Sequence, residues 1–417
     1  MSANKPLTII GVLFFVFGFV TWLGSVLIPY FQIACQLNNF ESYLVAFAFY
    51  ISYLVMAIPS ASVLKRTGYK NGMSLGLLIM ASGALLFIPA ALSRSYPLFL
   101  SGLFVQGTGL AILQTAANPY ITILGPLNSA ARRISIMGIC NGVAGVIAPL
   151  ILGAIALKDA DAIKARLTGL PAIQTTELLD QLAHRVITPY SIMATVLLAM
   201  SVLIYYSRLP EVDADAEDEV VALANTGKTS ILQFPHLLLG VLTLFLYVGV
   251  EVIAADTIIS YGTFQGVPLS LAKLFTSCTL ACMLLGYIGG IIFIPRFISQ
   301  VQVLQVSALL GLIFVTVALS TNGIVSVSFI ALLGIANALV WPSIWPLAIA
   351  GLGRHTKKGS SLLIMAVGGG AFLPLLYGWL ADEFSPKLAY WELVPCYACI
   401  LYYARFGHKA GRKLAQA

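Results

Sequence analysis

Charge is what this chain of 417 residues has least of: Asp, Glu, Lys and Arg together make up 9%, against about 25% in an ordinary soluble domain. A surface with so little charge aggregates unless lipid replaces water around it. That excludes a cytosolic enzyme, a nucleic-acid-binding protein and a secreted scaffold, even with a net charge of +7. Disulfide frameworks are excluded too. The six cysteines (Cys35, Cys140, Cys278, Cys282, Cys396, Cys399) lie in or beside apolar segments, and the Cys396–Cys399 pair sits among Pro395, Tyr397, Ala398 and Ile400. Small thiols in such settings are packing residues. The four histidines, His184, His236, His355 and His408, are scattered with no metal-ligand spacing. No glycine loop is followed by a Walker-type Lys-Ser/Thr, which excludes an ATPase motor within the chain. No cluster of histidines and carboxylates marks a membrane enzyme, so the chain reads as a non-enzyme.

What is abundant is apolar sequence, 59% of residues with a mean hydropathy of +0.94. A helix needs about 20 apolar residues to cross a bilayer. Twelve such runs stand at 7–34, 40–64, 71–92, 96–123, 132–157, 186–207, 234–262, 270–295, 300–320, 322–352, 358–381 and 387–406. They are continuously apolar rather than alternating, so the spans are helices and not barrel strands. The first is far longer than the apolar part of a signal peptide and lacks a small-x-small cleavage site. With both termini on one face, that face collects 16 of the 23 Lys and Arg, from Lys65, Arg66 and Lys70 through Arg132, Arg133, Arg354, Lys357 and Lys358 to Lys413. The asymmetry places both termini in the cytoplasm.

Six of the 16 acidic residues crowd into one stretch, Glu211 to Glu219. This acidic linker, 208–233, separates an N-terminal six-helix bundle, 1–207, from a C-terminal one, 234–417. The halves share a pattern. Pro119, Arg132 and Arg133, Met137, then Pro149-x-x-x-Gly153 is echoed by Pro346, Arg354 with Lys357 and Lys358, Met365, then Pro374-x-x-x-Gly378. The fold class is therefore all-α membrane protein, with two pseudo-symmetric bundles related as parallel repeats.

Ionisable groups at mid-membrane cost about 2.5–3.5 kcal/mol on insertion scales and mark function by default. Glu251 and Asp256 in the seventh run are such groups, with Thr257 and Ser260 close behind. Five residues apart, they share a cavity only if the helix is interrupted or the cavity wide; the alternative is a pair of protonated carboxyls between helices. Glu392, near the start of the last run, lies within reach of an interface and reads as structural. Gln114 and Asn118 share a helical face, where amides suit a neutral polyhydroxylated ligand or an interhelical hydrogen bond. Asn337, Trp341 and Trp345 form a stripe of amide and indole fit for a sugar ring, unless the indoles are interfacial anchors. Trp22, beside Thr21 and Ser25, is a similar case.

Several segments carry a resemblance. Phe19-x-Thr-Trp-Leu-Gly-Ser-Val-Leu-Ile-Pro29, Gln114-Thr-Ala-Ala-Asn-Pro-Tyr120, Tyr247-Val-Gly-Val-Glu251 and Lys358-Gly-Ser-Ser361 resemble the fucose/glucose-galactose permease family of the major facilitator superfamily, over nearly the whole chain. The resemblance implies twelve helices, alternating access around a central sugar site, cation-coupled uptake of a hexose such as glucose or galactose, a bacterial inner membrane and a monomer. The family's fucose permease is associated with an aspartate in the first span and a glutamate before T-A-A-N-P. Here those positions hold Ser25 and Gln114, neither of which exchanges a proton near neutral pH. A hard cation wants carboxylate, carbonyl and hydroxyl oxygens. The expectation is thus sodium as coupling ion at Asp256, with Thr257, Ser260 and Glu251 assisting. The sugar is expected on Gln114, Asn118, Glu251, Asn337, Trp341, Trp345 and Trp22. No other cofactor and no nucleic acid are expected. Proton-coupled hexose or fucose symport, uniport, and a non-transporting sugar sensor remain the alternatives.

Overall fold

The computed structural model describes residues 4–123, 130–167, 171–207, 209, 229–294, 297–352 and 355–411; of these, the side chains of 4–6, 61, 118–123, 130–135 and 356–357 are left aside. The acidic part of the linker, 210–228, and the side chain of Asn118 lie outside the described residues.

The described residues form helices joined by short turns, with no strand among them. A backbone in lipid must satisfy its amides and carbonyls within each segment, which a helix does. Eleven helical segments are long and apolar enough to cross a membrane: Leu7–Ala34, Asn39–Ser60, Ser62–Leu92, Tyr96–Ala117, Ile136–Ala156, Ala172–Tyr206, Pro235–Asp256, Leu269–Phe293, Gln300–Ser320, Gly323–Ile349 and Lys358–Glu383. The expected twelfth run differs. It is helical from Pro386 to Arg405 but in three short pieces, Pro386–Ala389, Tyr390–Glu392 and Leu393–Arg405. Pro386 opens the run at the first helical position, the 3-10 segment Tyr390–Glu392 divides it, and Lys387, Glu392 and Arg405 make it less apolar than the other spans. It still packs beside the ninth and seventh spans.

Local sequence sets the ends. Asn38 and Glu41 form a capping box at the start of the second span, as Ser299 and Gln302 do at the ninth. The reversal between the second and third spans falls at Gly68, within the apolar segment that begins at Ser62, and its φ of 75° is one that a residue with a side chain rarely adopts. This turn lies between Arg66 and Lys70, on the face where the basic loops collect. Asn38, Arg94, Asp161, Gly266 and Asp382 lie at the opposite face.

The two halves have matching internal crossings. A Cβ on Gly18 of the first span would stand 2.1 Å from Asn141 O of the fifth, and one on Gly369 of the eleventh would stand 1.8 Å from Phe245 O of the seventh. In each half, then, the first-type helix touches the fifth-type helix backbone to backbone through a glycine. Between the halves, the second span packs on the eleventh and the fifth on the eighth.

Candidate substrate and cation site

The first span is interrupted near its middle and the seventh toward its far end. The first runs as a helix over Asn4–Thr21, lapses at Trp22 and Leu23, and resumes over Gly24–Ala34. At the lapse the Val26 amide donates to Leu23 O, while Trp22 O accepts the Ser25 hydroxyl at 2.8 Å. The seventh runs over Pro235–Asp256, breaks at Thr257, and resumes over Ile258–Phe264. The interruption expected near Glu251 and Asp256 therefore falls directly after Asp256.

The breaks face each other. Asp256 is 1% exposed, and its Oδ2 lies 3.3 Å from where a Cβ on Gly24 would stand. Glycine lets the carboxyl approach the broken first span. Its other oxygen, Oδ1, has no hydrogen-bond partner. Asp256 closes a cavity of about 10 Å³ whose lining includes Thr21, Leu23, Gly24 and Tyr50, room for about one water-sized particle. The last carbonyls of a helix have no intrahelical amide to accept, and the first half-helix ends at this cavity. An anionic oxygen beside a helix end in a broken span is a recurring cation arrangement in carriers. A buried, unpaired carboxylate costs several kcal/mol unless a cation cancels it or a proton neutralises it.

Thr257 and Ser260 do not line this cavity. The Thr257 hydroxyl donates to Ile253 O at 2.7 Å and meets Tyr390 OH at 2.6 Å, while Ser260 lines a separate cavity at the face opposite the basic loops.

The sugar candidates gather in part. Trp22 packs in one cluster with Ala255, Leu280, Met283 and Ala338, so the first, seventh, eighth and tenth spans meet beside Asp256 and Asn337. The ring is held close: a Cβ on Gly145 would come within 2.6 Å of its Cδ1. Asn337 is buried and its Oδ1 accepts from Tyr397 OH at 2.8 Å. Tyr397, Tyr247 and Tyr287 all lie in electrostatic range of the half-buried Glu251. Trp341 and Trp345 stack on each other, centroids 5.6 Å apart. The tenth span breaks at Leu339, between Asn337 and these indoles, so the regular stripe is interrupted. Gln114 is half-buried, and among the described residues no hydrogen bond joins it to Glu251, Asn337 or the indoles.

Sequence reasoning missed Gly24, Tyr50 and Tyr397. Gly24 carried a local signal, a glycine directly after the Trp22–Leu23 pair; the tyrosines carried none, being single aromatic residues in apolar helices. It also set aside Glu392, whose two carboxyl oxygens are buried without hydrogen-bond partners.

At the face opposite the basic loops, two carboxylates tie the halves together. Asp382, ending the eleventh span, accepts from the Asn39 amide at 3.1 Å, Asn39 Nδ2 at 2.7 Å and the Phe40 amide at 2.7 Å. Asp161, in the loop between the fifth and sixth spans, accepts from the Leu269 and Ser270 amides, both at 2.9 Å. Each acid of one half caps a helix start of the other, where negative charge is favoured. This face is closed. Solvent screens so exposed a clamp, so Asp382→Asn is expected to weaken closure by about 1 kcal/mol, roughly fivefold. An impermeant maleimide reacting with a cysteine introduced at Thr263 would read it as faster labelling.

Closure also carries a pH dependence. Burial works to raise the Asp161 carboxyl, but the Ser270 and Leu269 amides, the Ser270 hydroxyl and Lys164 outweigh it and hold the group below its ordinary value. A carboxyl lowered in the closed state favours closure above the ordinary carboxylate range and loses that contribution as pH falls through the lowered value. Measured relative to a cysteine on an always-exposed loop, whose thiolate fraction falls with pH in the same way, the same labelling is expected to speed up below about pH 4, and less so in Asp161→Asn.

The sequence model of the major facilitator superfamily matches residues 10–374. A glucose/galactose transporter of Brucella abortus is 34% identical over 408 residues, covering 97% of this chain and 94% of the relative. An L-fucose-proton symporter of Escherichia coli is 31% identical, covering 96% and 92%. Among solved structures, the transporter FucP in its outward conformation superposes with a TM-score of 0.73 at 30% identity, over 98% of this chain and 99% of that one. A D-xylose-proton symporter shares the fold, with a TM-score of 0.70 at 16% identity. Two six-helix halves with paired glycine crossings, interrupted first and seventh spans meeting at a buried carboxyl, and relatives that align over nearly the whole chain lead to one assignment: this membrane protein belongs to the major facilitator superfamily.

Proposed function

We propose that the chain is a cation-coupled hexose symporter of a bacterial inner membrane, taking up glucose or galactose by alternating access as a monomer. Both termini are cytoplasmic, so the face tied by Asp161 and Asp382 is the outer one. Transport of glucose and galactose is named for the Brucella relative, and proton-coupled fucose transport for the Escherichia one. The hexose is held where the first, seventh, eighth and tenth spans meet. Trp22 and Trp341 offer indole faces, and Asn337 and Glu251 hydrogen-bond hydroxyls. Gln114 and Asn118 serve from the fourth span, and Trp345 backs Trp341 by stacking.

The observation that carries the coupling is Asp256, enclosed, with Oδ1 unpartnered, against the broken first span. A cation there bridges the two halves. Only with that charge cancelled does the closed state enclose the carboxylate without a penalty of several kcal/mol, which links cation binding to the change of state. We assign sodium, because a carboxylate beside helix-end carbonyls in a water-sized cavity is a hard-oxygen donor set. The lining also leaves Thr21 as a hydroxyl ligand, a part the sequence suggested for Thr257 and Ser260. Glu251 stands as the assisting carboxylate.

The test is labelled glucose and galactose uptake into proteoliposomes at fixed pH and clamped potential, with and without an inward sodium gradient. Sodium-stimulated, electrogenic uptake supports the assignment. A second reading, proton symport, is favoured by the named activity of the fucose-carrying relative and by the enclosed Glu392. Uptake raised by a proton gradient and indifferent to sodium would establish it, with Glu251, Asp256 and Glu392 as the carriers to mutate. Counterflow with neither stimulation means uniport. Binding without any counterflow means a sensor.

A further inference from the structure

We propose that the cavity between the two halves at the Asp161–Asp382 face is a second hexose site, one that regulates the carrier. Its volume is about 310 Å³, inside the range of about 300–1,000 Å³ typical of small-molecule pockets. The cavity at Asp256, by contrast, is water-sized in this closed state. Gln32 and Lys164 of the N-terminal half and Thr263, Phe264 and Tyr377 of the C-terminal half contribute to its walls.

Its chemistry is that of a neutral polyol site. Gln32 spends an amide hydrogen on Asn39 Oδ1 at 3.1 Å, which leaves its carbonyl oxygen as an acceptor. The Thr263 hydroxyl donates to Ser260 O at 2.8 Å, which leaves its lone pairs. Lys164 supplies donors, and the Phe264 ring, half exposed at 50%, offers a face for sugar C–H groups.

The walls come from opposite halves, and Asn39, also in the lining, is itself held by Asp382. The site therefore exists only while this face is closed. A ligand that binds one state and not the other shifts the population toward the state it binds. Hexose entering from this side would hold the carrier closed to it and delay its return, so uptake would pass through a maximum and fall as outside sugar rises. The inference rests on the sugar-carrier reading for the identity of its ligand.

Equilibrium binding of labelled glucose and galactose to the purified full-length chain in lipid nanodiscs tests it. The expected result is two sugars per chain. The double variant Gln32→Ala/Lys164→Ala should weaken one of them at least roughly tenfold and leave the other; Asn337→Ala should do the reverse. A single sugar per chain that the double variant leaves untouched overturns the inference, as does a second sugar insensitive to that variant. If the double variant loses the sugar while Asn337→Ala retains it, the inference stands and the central assignment falls.

Discussion

An Asp256→Asn carrier is expected to move hexose at the same rate with or without a sodium gradient and to accumulate none against a concentration difference. The amide keeps the size and polarity of the carboxyl but carries no charge for a cation to cancel. The closed state then forms without one. Each imported charge contributes about 2.3 kcal/mol per 100 mV of inside-negative potential, roughly fifty-fold in accumulation, and the variant forfeits that factor while counterflow persists. Binding can be read separately. Sodium at about a hundred times its dissociation constant stabilises a protein by about 2.7 kcal/mol, so sodium is expected to raise the melting temperature of the parent and not of Asp256→Asn. A variant that still responds to sodium, in flux or in melting, refutes the assignment.

Gly369→Ala is expected to be among the most damaging single-methyl changes. Its new Cβ would stand 1.8 Å from Phe245 O and 2.7 Å from the carbonyl carbon. Both atoms belong to helix backbone, so no side chain can turn aside, and the seventh and eleventh spans must separate along their crossing. Overpacking costs about 1–3 kcal/mol where side chains can adjust; here the upper figure is the floor. Gly289→Ala is the control. Nothing lies within 4 Å of its Cβ position, and alanine is the better helix former by about 1 kcal/mol. Folded yield and melting temperature should fall for the first and hold or rise for the second. Gly18→Ala, 2.1 Å from Asn141 O, should behave like Gly369→Ala, because it is the same crossing in the other half.

The spans were legible because lipid imposes a length and a composition that apolar runs display directly. Leu7–Ala34 and Gln300–Ser320 coincide with their sequence-based bounds. The last run is helical along 386–405, but hydropathy does not show the 3-10 stretch at Tyr390–Glu392 that divides it. In the site, Glu251, Asp256 and Asn337 announced themselves as polar groups in apolar surroundings. What the sequence hid was pairing between distant spans: that Gly24 faces Asp256, that Tyr397 holds Asn337, and that Thr257 is committed to Tyr390. Those contacts join residues up to 232 positions apart and leave no periodic trace. Asp382 and Asp161 were invisible for a related reason, since most of their partners are main-chain amides, which every non-proline residue has.

That choice of partner shapes how closure can evolve. A lock built from two side chains is lost by changing either; one whose receiving side is mostly backbone is altered chiefly from the acid side, because new side chains at Phe40 or Leu269 leave the amides in place. Adaptive variation in how long this face stays shut should therefore concentrate at Asp161 and Asp382, with Asn39 and Ser270, whose side chains also reach the acids, as lesser positions. The two acids also grip different corners of the molecule, one at the start of the second span and one at the loop entering the eighth, so neither half can pivot about a single point. Opening requires both corners to let go together, which gives this face the behaviour of a latch rather than a hinge.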